Sequence, residues 1–209
     1  MTVAIGFNCA ETILIATDTY IVTPGVSKLN GSKLFRNEPA NGVNSVIATA
    51  GHFSYGRMAM QHLQCALSDL SDAGMREIRD AVEAELLELH LDHIYRHPDR
   101  GMPSLTVELL IAVWSPRDKT AAIYWTEDSA LVEFPGYACI GCGSTLAHFL
   151  VKPVYRPRMK QELILPLALD VVERAKEFVD GVGGYTEWVT LSLSDGRLSK
   201  TERVNGPRS

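Results

Sequence analysis

The first side chain whose chemistry draws attention is Thr2. Methionine aminopeptidases act where the second residue is small, so removal of Met1 would leave Thr2 carrying both a hydroxyl and a free amine. An α-amino group titrates near pH ~8, close enough to working pH to take the hydroxyl proton and turn the oxygen into a nucleophile. Taken alone, Thr2 reads better as a β-branched start to a strand, since very many chains begin Met-Thr. A second candidate is Gly51, which stops the β-like run Asn44 to Ala50. A glycine there permits close backbone approach or an unusual φ, leaving an amide free to point into a site. Two further patterns carry less. Cys139-Ile-Gly-Cys142 matches C-x-x-C but lacks a second ligand pair or a thioredoxin-like setting. His90, His93 and His97 fall at i, i+3 and i+7 of one expected helix, a spacing that could contact a metal, although a face that also carries Glu88 and Asp92 is usually just polar in solvent; packing against a neighbouring subunit is a third option. No metal or cofactor is expected.

The elements that must position these residues follow from composition and periodicity. With 209 residues, 46% of them hydrophobic, the chain can bury one good core, and a single domain over 1–209 is expected, with a frayed tail from about 202. A net charge of -5 without a Lys/Arg cluster argues against nucleic-acid binding. Four cysteines, embedded in apolar sequence, fit a reducing compartment better than a disulfide scaffold. No signal-peptide pattern or membrane-length apolar run is present, so a cytoplasmic protein that avoids membranes is expected.

Val3 to Cys9 and Thr12 to Thr17 read as a hairpin, followed by an irregular stretch from Thr19 to Gly31 with a turn at Pro24-Gly25. Helical spacing recurs from Phe53 to Leu70 and from about Met75 to Arg96. Val107 to Val113 and Thr120 to Thr126 form a second hairpin across Ser115-Pro116-Arg117-Asp118. A short strand, Tyr137 to Ile140, runs into the turn Gly141-Cys142-Gly143-Ser144, which opens a helix to about Leu150. Lys160 to Phe178 is amphipathic on Leu163, Leu167, Val171, Ala175 and Phe178. Trp188 to Leu193 and Arg197 to Thr201 close the chain as strands about Asp195-Gly196. Blocks of strands alternating with helix pairs favour an α+β fold, in which helices cover antiparallel sheets.

Taken in this order and spacing, the chain resembles the proteasome β-subunit family, among the N-terminal nucleophile (Ntn) hydrolases, from Thr2 to about Leu193. The carriers are Thr-Val-Ala-Ile-Gly at the start, Ile-Leu-Ile-Ala-Thr-Asp ending at Asp18, Lys33-Leu34-Phe35, Ala48-Thr49-Ala50-Gly51, Ile140-Gly141-Cys142-Gly143-Ser144 and Gly183-Gly184. The resemblance implies a four-layer α-β-β-α sandwich of two antiparallel sheets. It implies Thr2 as nucleophile, Lys33 as the cation that lowers the amine and hydroxyl pKa, Asp18 as the group that holds Lys33, and the Gly51 amide as oxyanion donor. It gives support of the terminal amine to Cys142 and, through a shifted backbone, to Asp180, and it places Ile21, Thr49 and Phe53 in the walls of the substrate side-chain pocket. His52, beside Gly51, would lie close to this site. Three departures stand out: Lys33 is one residue nearer Asp18 than in the family, Cys142 replaces a serine, and Asp180 is out of register while Val182 replaces a second serine.

The expected activity is that of a threonine-type endopeptidase in a self-compartmentalised ring homo-oligomer of stacked rings. It would cleave peptides or unfolded proteins, with an unidentified unfoldase as a further partner. Two alternatives stay open: an Ntn amidohydrolase or transpeptidase on a small substrate, and a ring-forming structural protein whose altered positions mark lost catalysis.

Overall fold

A computed structural model describes residues 2–22, 29–40, 42–98 and 105–205. The turn expected at Pro24-Gly25 and the last four residues of the tail lie outside them. The architecture is built on β2 (Thr12–Asp18), whose run Ile13-Leu14-Ile15-Ala16 is buried on both faces. Ile13 and Ile15 point into the space between two sheets, and Leu14 and Ala16 point toward helices. That two-sided burial is why the strand reads as a continuous apolar run instead of an alternating one.

β1 (Ala4–Asn8) pairs antiparallel with β2, with Ile5 opposite Ala16. β10 (Tyr137–Ile140) flanks β1, and β11 (Tyr185–Ser192) and β12 (Glu202–Asn205) extend the other side, giving the order β10-β1-β2-β11-β12. The second sheet is β5 (Leu34–Asn37), β6 (Asn44–Gly51), β7 (Val107–Ser115), β8 (Thr120–Glu127) and β9 (Ala130–Glu133), in that order and antiparallel throughout. A two-stranded ribbon, β3 (Tyr20–Ile21) and β4 (Leu29–Asn30), stands apart.

Three apolar clusters define four layers. Ile47, Leu109 and Ile111 pack under α1 (Phe53–Asp69) and α2 (Met75–Leu89). Val3, Leu14 and Trp188 pack under α3 (Ser144–Val151) and α4 (Gln161–Phe178). Ile15, Leu110 and Val189 fill the space between the sheets. The expected α-β-β-α sandwich of two antiparallel sheets is the observed one.

Four details differ from the sequence reading. α2 ends at Leu89 instead of running to Arg96, and the chain continues as a π-helix, His90–Ile94, closed by Tyr95 N–H donating to the His90 carbonyl at 2.8 Å. The wider turn breaks the 3.6-residue period on which the expected histidine face depended. In α4 the buried stripe is Ile164, Ala168, Val171, Val172 and Ala175, leaving Leu163 61% and Phe178 71% exposed. The first half of this helix is apolar nearly all round, so periodicity does not select a face; close approach of the small Ala168 and Ala175 does. Arg197 to Thr201 contributes only an isolated Leu191–Leu198 bridge. Glu202–Asn205, expected to be frayed, is an edge strand because β11 offers it an open row of hydrogen-bonding groups.

Candidate functional site

The start of the chain is fixed before β1 begins. Thr2 is buried, and the Val3 N–H donates to Asp18 Oδ1 at 3.1 Å while the Val3 carbonyl accepts from Asp18 N–H at 3.3 Å and from Thr17 Oγ1 at 2.9 Å. Asp18, at the end of β2, is fully buried. Its oxygens also accept from the N–H groups of Tyr20 and Gly183, each at 3.1 Å, and from Lys33 Nζ at 2.9 and 3.0 Å. Lys33 sits just ahead of β5, where the Thr49 N–H of β6 donates to its carbonyl at 3.1 Å.

Both members of this ion pair are out of water. Burial pulls the Lys33 ammonium below its ordinary 10.5, opposed by the Asp18 charge and hydrogen bonds and then by Cys142 and Glu187. Burial pushes the Asp18 carboxyl up from 3.8, opposed by Lys33 and by the N–H groups of Gly183 and Val3.

Thr2 is held from the other side by the turn after β10. Gly143 N–H donates to the Thr2 carbonyl at 3.2 Å, and Cys142 Sγ lies 3.3 Å from Thr2 N, which donates to it, and 3.4 Å from the Thr2 carbonyl. Gly141 has φ +86°, and a side chain there would meet the Thr2 carbonyl oxygen, so the turn closes over Thr2 only with glycine in place. Glu108 of β7 secures the turn by accepting from Gly141 N–H at 2.8 Å.

Gly51 is the single exposed residue of β6 and has φ +88°; a Cβ would run into the Thr106 carbonyl. Thr2, Lys33 and Gly51 line one cleft, whose other walls include Ile21, Thr49 and Phe53. Five residues from five separate places in the sequence thus converge: Thr2, Asp18, Lys33, Gly51 and Cys142.

Comparison with known proteins identifies the family and the fold. The profile of the family described as Proteasome subunit matches residues 2–187. The chain belongs to the proteasome subunit family. No curated protein sequence matches it significantly. Among solved structures, a Gly-1 mutant of Anbu from Hyphomicrobium sp. strain MC1 superposes with a TM-score of 0.82 at 14% identity, covering 99% of this chain and 88% of that one. Anbu (ancestral beta-subunit) from Yersinia bercovieri gives 0.82 at 14% identity, covering 98% and 88%. The helical assembly of the Anbu complex from Pseudomonas aeruginosa gives 0.81 at 15%, covering 99% and 88%. At these identities the likeness establishes the fold.

Within this proteasome-family chain, the remaining candidates divide. Asp180 reaches the site only through its main-chain carbonyl, 4.0 Å from Cys142 Sγ, and is itself exposed. Val182 is buried among the residues under α3 and α4. His52 caps α1, its Nδ1 accepting from Tyr55 N–H at 3.5 Å with the two rings 4.6 Å apart, and does not line the cleft. His90 is buried with Nδ1 2.8 Å from the Leu86 carbonyl, whereas His93 lies beside Tyr55. Among the described residues no three His, Cys, Asp or Glu side chains converge as a metal site would require. The C-x-x-C pair is split. Cys139 is buried with its thiol pushed up to about 12 by desolvation, and Cys142 is exposed and turned to Thr2.

Sequence reasoning did not single out Tyr20, Val22 and Ala50, which also line the cleft, or Glu108 and Glu187, which stand behind it. Tyr20 and Val22 were within reach of the strand alternation running on from Asp18. Nothing local marks Glu108 or Glu187, because their partners are distant in sequence.

Proposed function

We propose that the chain is a threonine-type peptidase that acts through Thr2 once Met1 is removed. The Thr2 amine takes the proton from Oγ, and Oγ attacks the carbonyl carbon of the scissile bond. The Gly51 amide donates to the resulting oxyanion. The amine then passes its proton to the departing nitrogen, which leaves an ester on Thr2. Water, deprotonated by the same amine, attacks that ester and restores the hydroxyl as the acid product departs. Lys33 holds positive charge beside the nucleophile, and Asp18 holds Lys33 in place. Ile21, Thr49 and Phe53 give the cleft an apolar wall for a substrate side chain.

The observation that supports this reading best is the buried Asp18–Lys33 pair, whose Lys33 lines one cleft with Thr2 and Gly51. A buried ion pair is a costly way to hold a fold together, and a functional site is where such a cost is retained. Intact-mass measurement tests the reading: the purified protein should lack Met1 and gain one equivalent of a peptide epoxyketone. Retention of Met1, or labelling that persists in Thr2→Ala, would overturn it.

The subunits would assemble with one another into a ring or helical particle, taking unfolded polypeptide from a partner unfoldase. Phe149, Leu163 and Phe178 favour self-association, being large apolar side chains exposed on the outer face of α3 and α4. A second reading, an assembly without peptidase activity, is favoured by Val182 and Asp180, whose side chains contribute nothing visible to the support of Thr2. The epoxyketone experiment separates the two.

A further inference from the structure

Behind the cleft lies a second carboxylate. Glu187 of β11 is 0% exposed and pairs in register with Thr17, adjacent to the Asp18–Thr186 pair. By strand alternation it lies on the same face as Val189 and Leu191, in the layer between the sheets. A charge there gains nothing from apolar packing, so its hydrogen bonds must account for it. One oxygen, Oε2, accepts from Ser32 Oγ at 2.7 Å, and that hydroxyl oxygen accepts in turn from Leu34 N–H at 3.3 Å. Ser32 and Leu34 bracket Lys33. The other oxygen, Oε1, is paired with Arg203 Nε of β12, the residue opposite it in register.

We propose that Glu187 is a positioning residue for Lys33 and that Arg203, by countering its charge, couples the C-terminal strand β12 to the nucleophile cleft. Glu187 acts in two ways. Through Ser32 it fixes the backbone on which Lys33 is mounted, in addition to the hydrogen bond from Thr49. Its charge also supports the Lys33 ammonium, alongside Asp18 from β2 and Cys142 from the turn after β10. Arg203 offsets part of that charge, so seating or release of β12 changes the field at Lys33. The proposal rests on Lys33 serving as the cation beside Thr2.

The test follows the Lys33 titration by NMR of protein carrying 13C-labelled lysine, with the signal assigned by its loss in Lys33→Arg, in parallel with epoxyketone capture at Thr2. Glu187→Gln keeps an acceptor for Ser32 and removes the charge, so the Lys33 titration should fall by roughly half a pH unit or more. Arg203→Met removes the counter-charge and should move it up. A loss of packing alone would move both variants in the same direction. Opposite shifts uphold the proposal; no shift in Glu187→Gln, or shifts of one sign in both, overturn it. If Glu187→Gln does not fold, Arg203→Met, altered at a half-exposed side chain, decides by the presence or absence of the upward shift. Because the titration is read without turnover, opposite shifts in a protein that captures no epoxyketone would uphold the positioning role while removing the peptidase reading. Capture without shifts would do the reverse.

Discussion

In the proposed mechanism the chemistry at Thr2 depends on two protonation states that pull in opposite directions along the pH axis. The terminal amine must be unprotonated, and the Lys33 charge lowers it from the ordinary α-amino value, so capture of an electrophile at Thr2 should rise with pH below about 8. The Lys33 ammonium must stay protonated, and burial lowers it from 10.5, so the rate should fall on an alkaline limb that sets in below the ordinary lysine range. A capture profile that climbs without a fall up to that range would contradict the role given to Lys33. Cys142 makes the contact to Thr2 N that the resemblance assigns to a serine hydroxyl. Removing one neutral hydrogen bond costs about 1 kcal/mol, so Cys142→Ala should slow capture by roughly fivefold and Cys142→Ser should restore or exceed the original rate. Rates measured by intact mass at fixed pH check this series.

The elements matter because two turns place backbone where side chains would not fit. Gly51 ends β6 at positive φ against the Thr106 carbonyl, and Gly141 closes over the Thr2 carbonyl. Gly51→Ala should displace the amide and lower capture by an amount approaching the ~10²–10³ lost with an oxyanion donor, with the fold retained by circular dichroism. Normal capture by that variant would remove Gly51 from the mechanism. Element boundaries were legible where one chemistry dominates the local sequence. β1, β2, β6 and α1 fall within a residue or two of their expected limits. The π-helix after Leu89 and the true buried face of α4 were not, because each is decided by which neighbour packs against the segment.

At the scale of the whole molecule, the outer face of α3 and α4 exposes Phe149 at 77%, with Leu163 and Phe178 on the next helix. Exposed apolar groups of this size are the candidates for the self-association proposed above. Phe149→Asp combined with Leu163→Glu should shift the protein from a large particle toward the 23.0 kDa subunit in light scattering, while each subunit melts as before. An unchanged particle mass would show that the subunits associate elsewhere. No helix among the described residues is long and apolar enough to cross a membrane.

The sequence alone determined the strand and helix blocks and, through motif order, the family and the candidates Thr2, Asp18, Lys33, Gly51 and Cys142. Those signals are local: an apolar run, a glycine at a strand end, a residue type at a fixed spacing. Tertiary structure alone decided that Asp180 would offer a carbonyl instead of a carboxylate and that Val182 would turn into the core. It also decided that Glu187, unremarkable in its own neighbourhood, would stand buried between Ser32 and Arg203. Those outcomes depend on contacts between residues far apart in the chain, and burial, which sets the energy of a charge, exists only once the layers have closed.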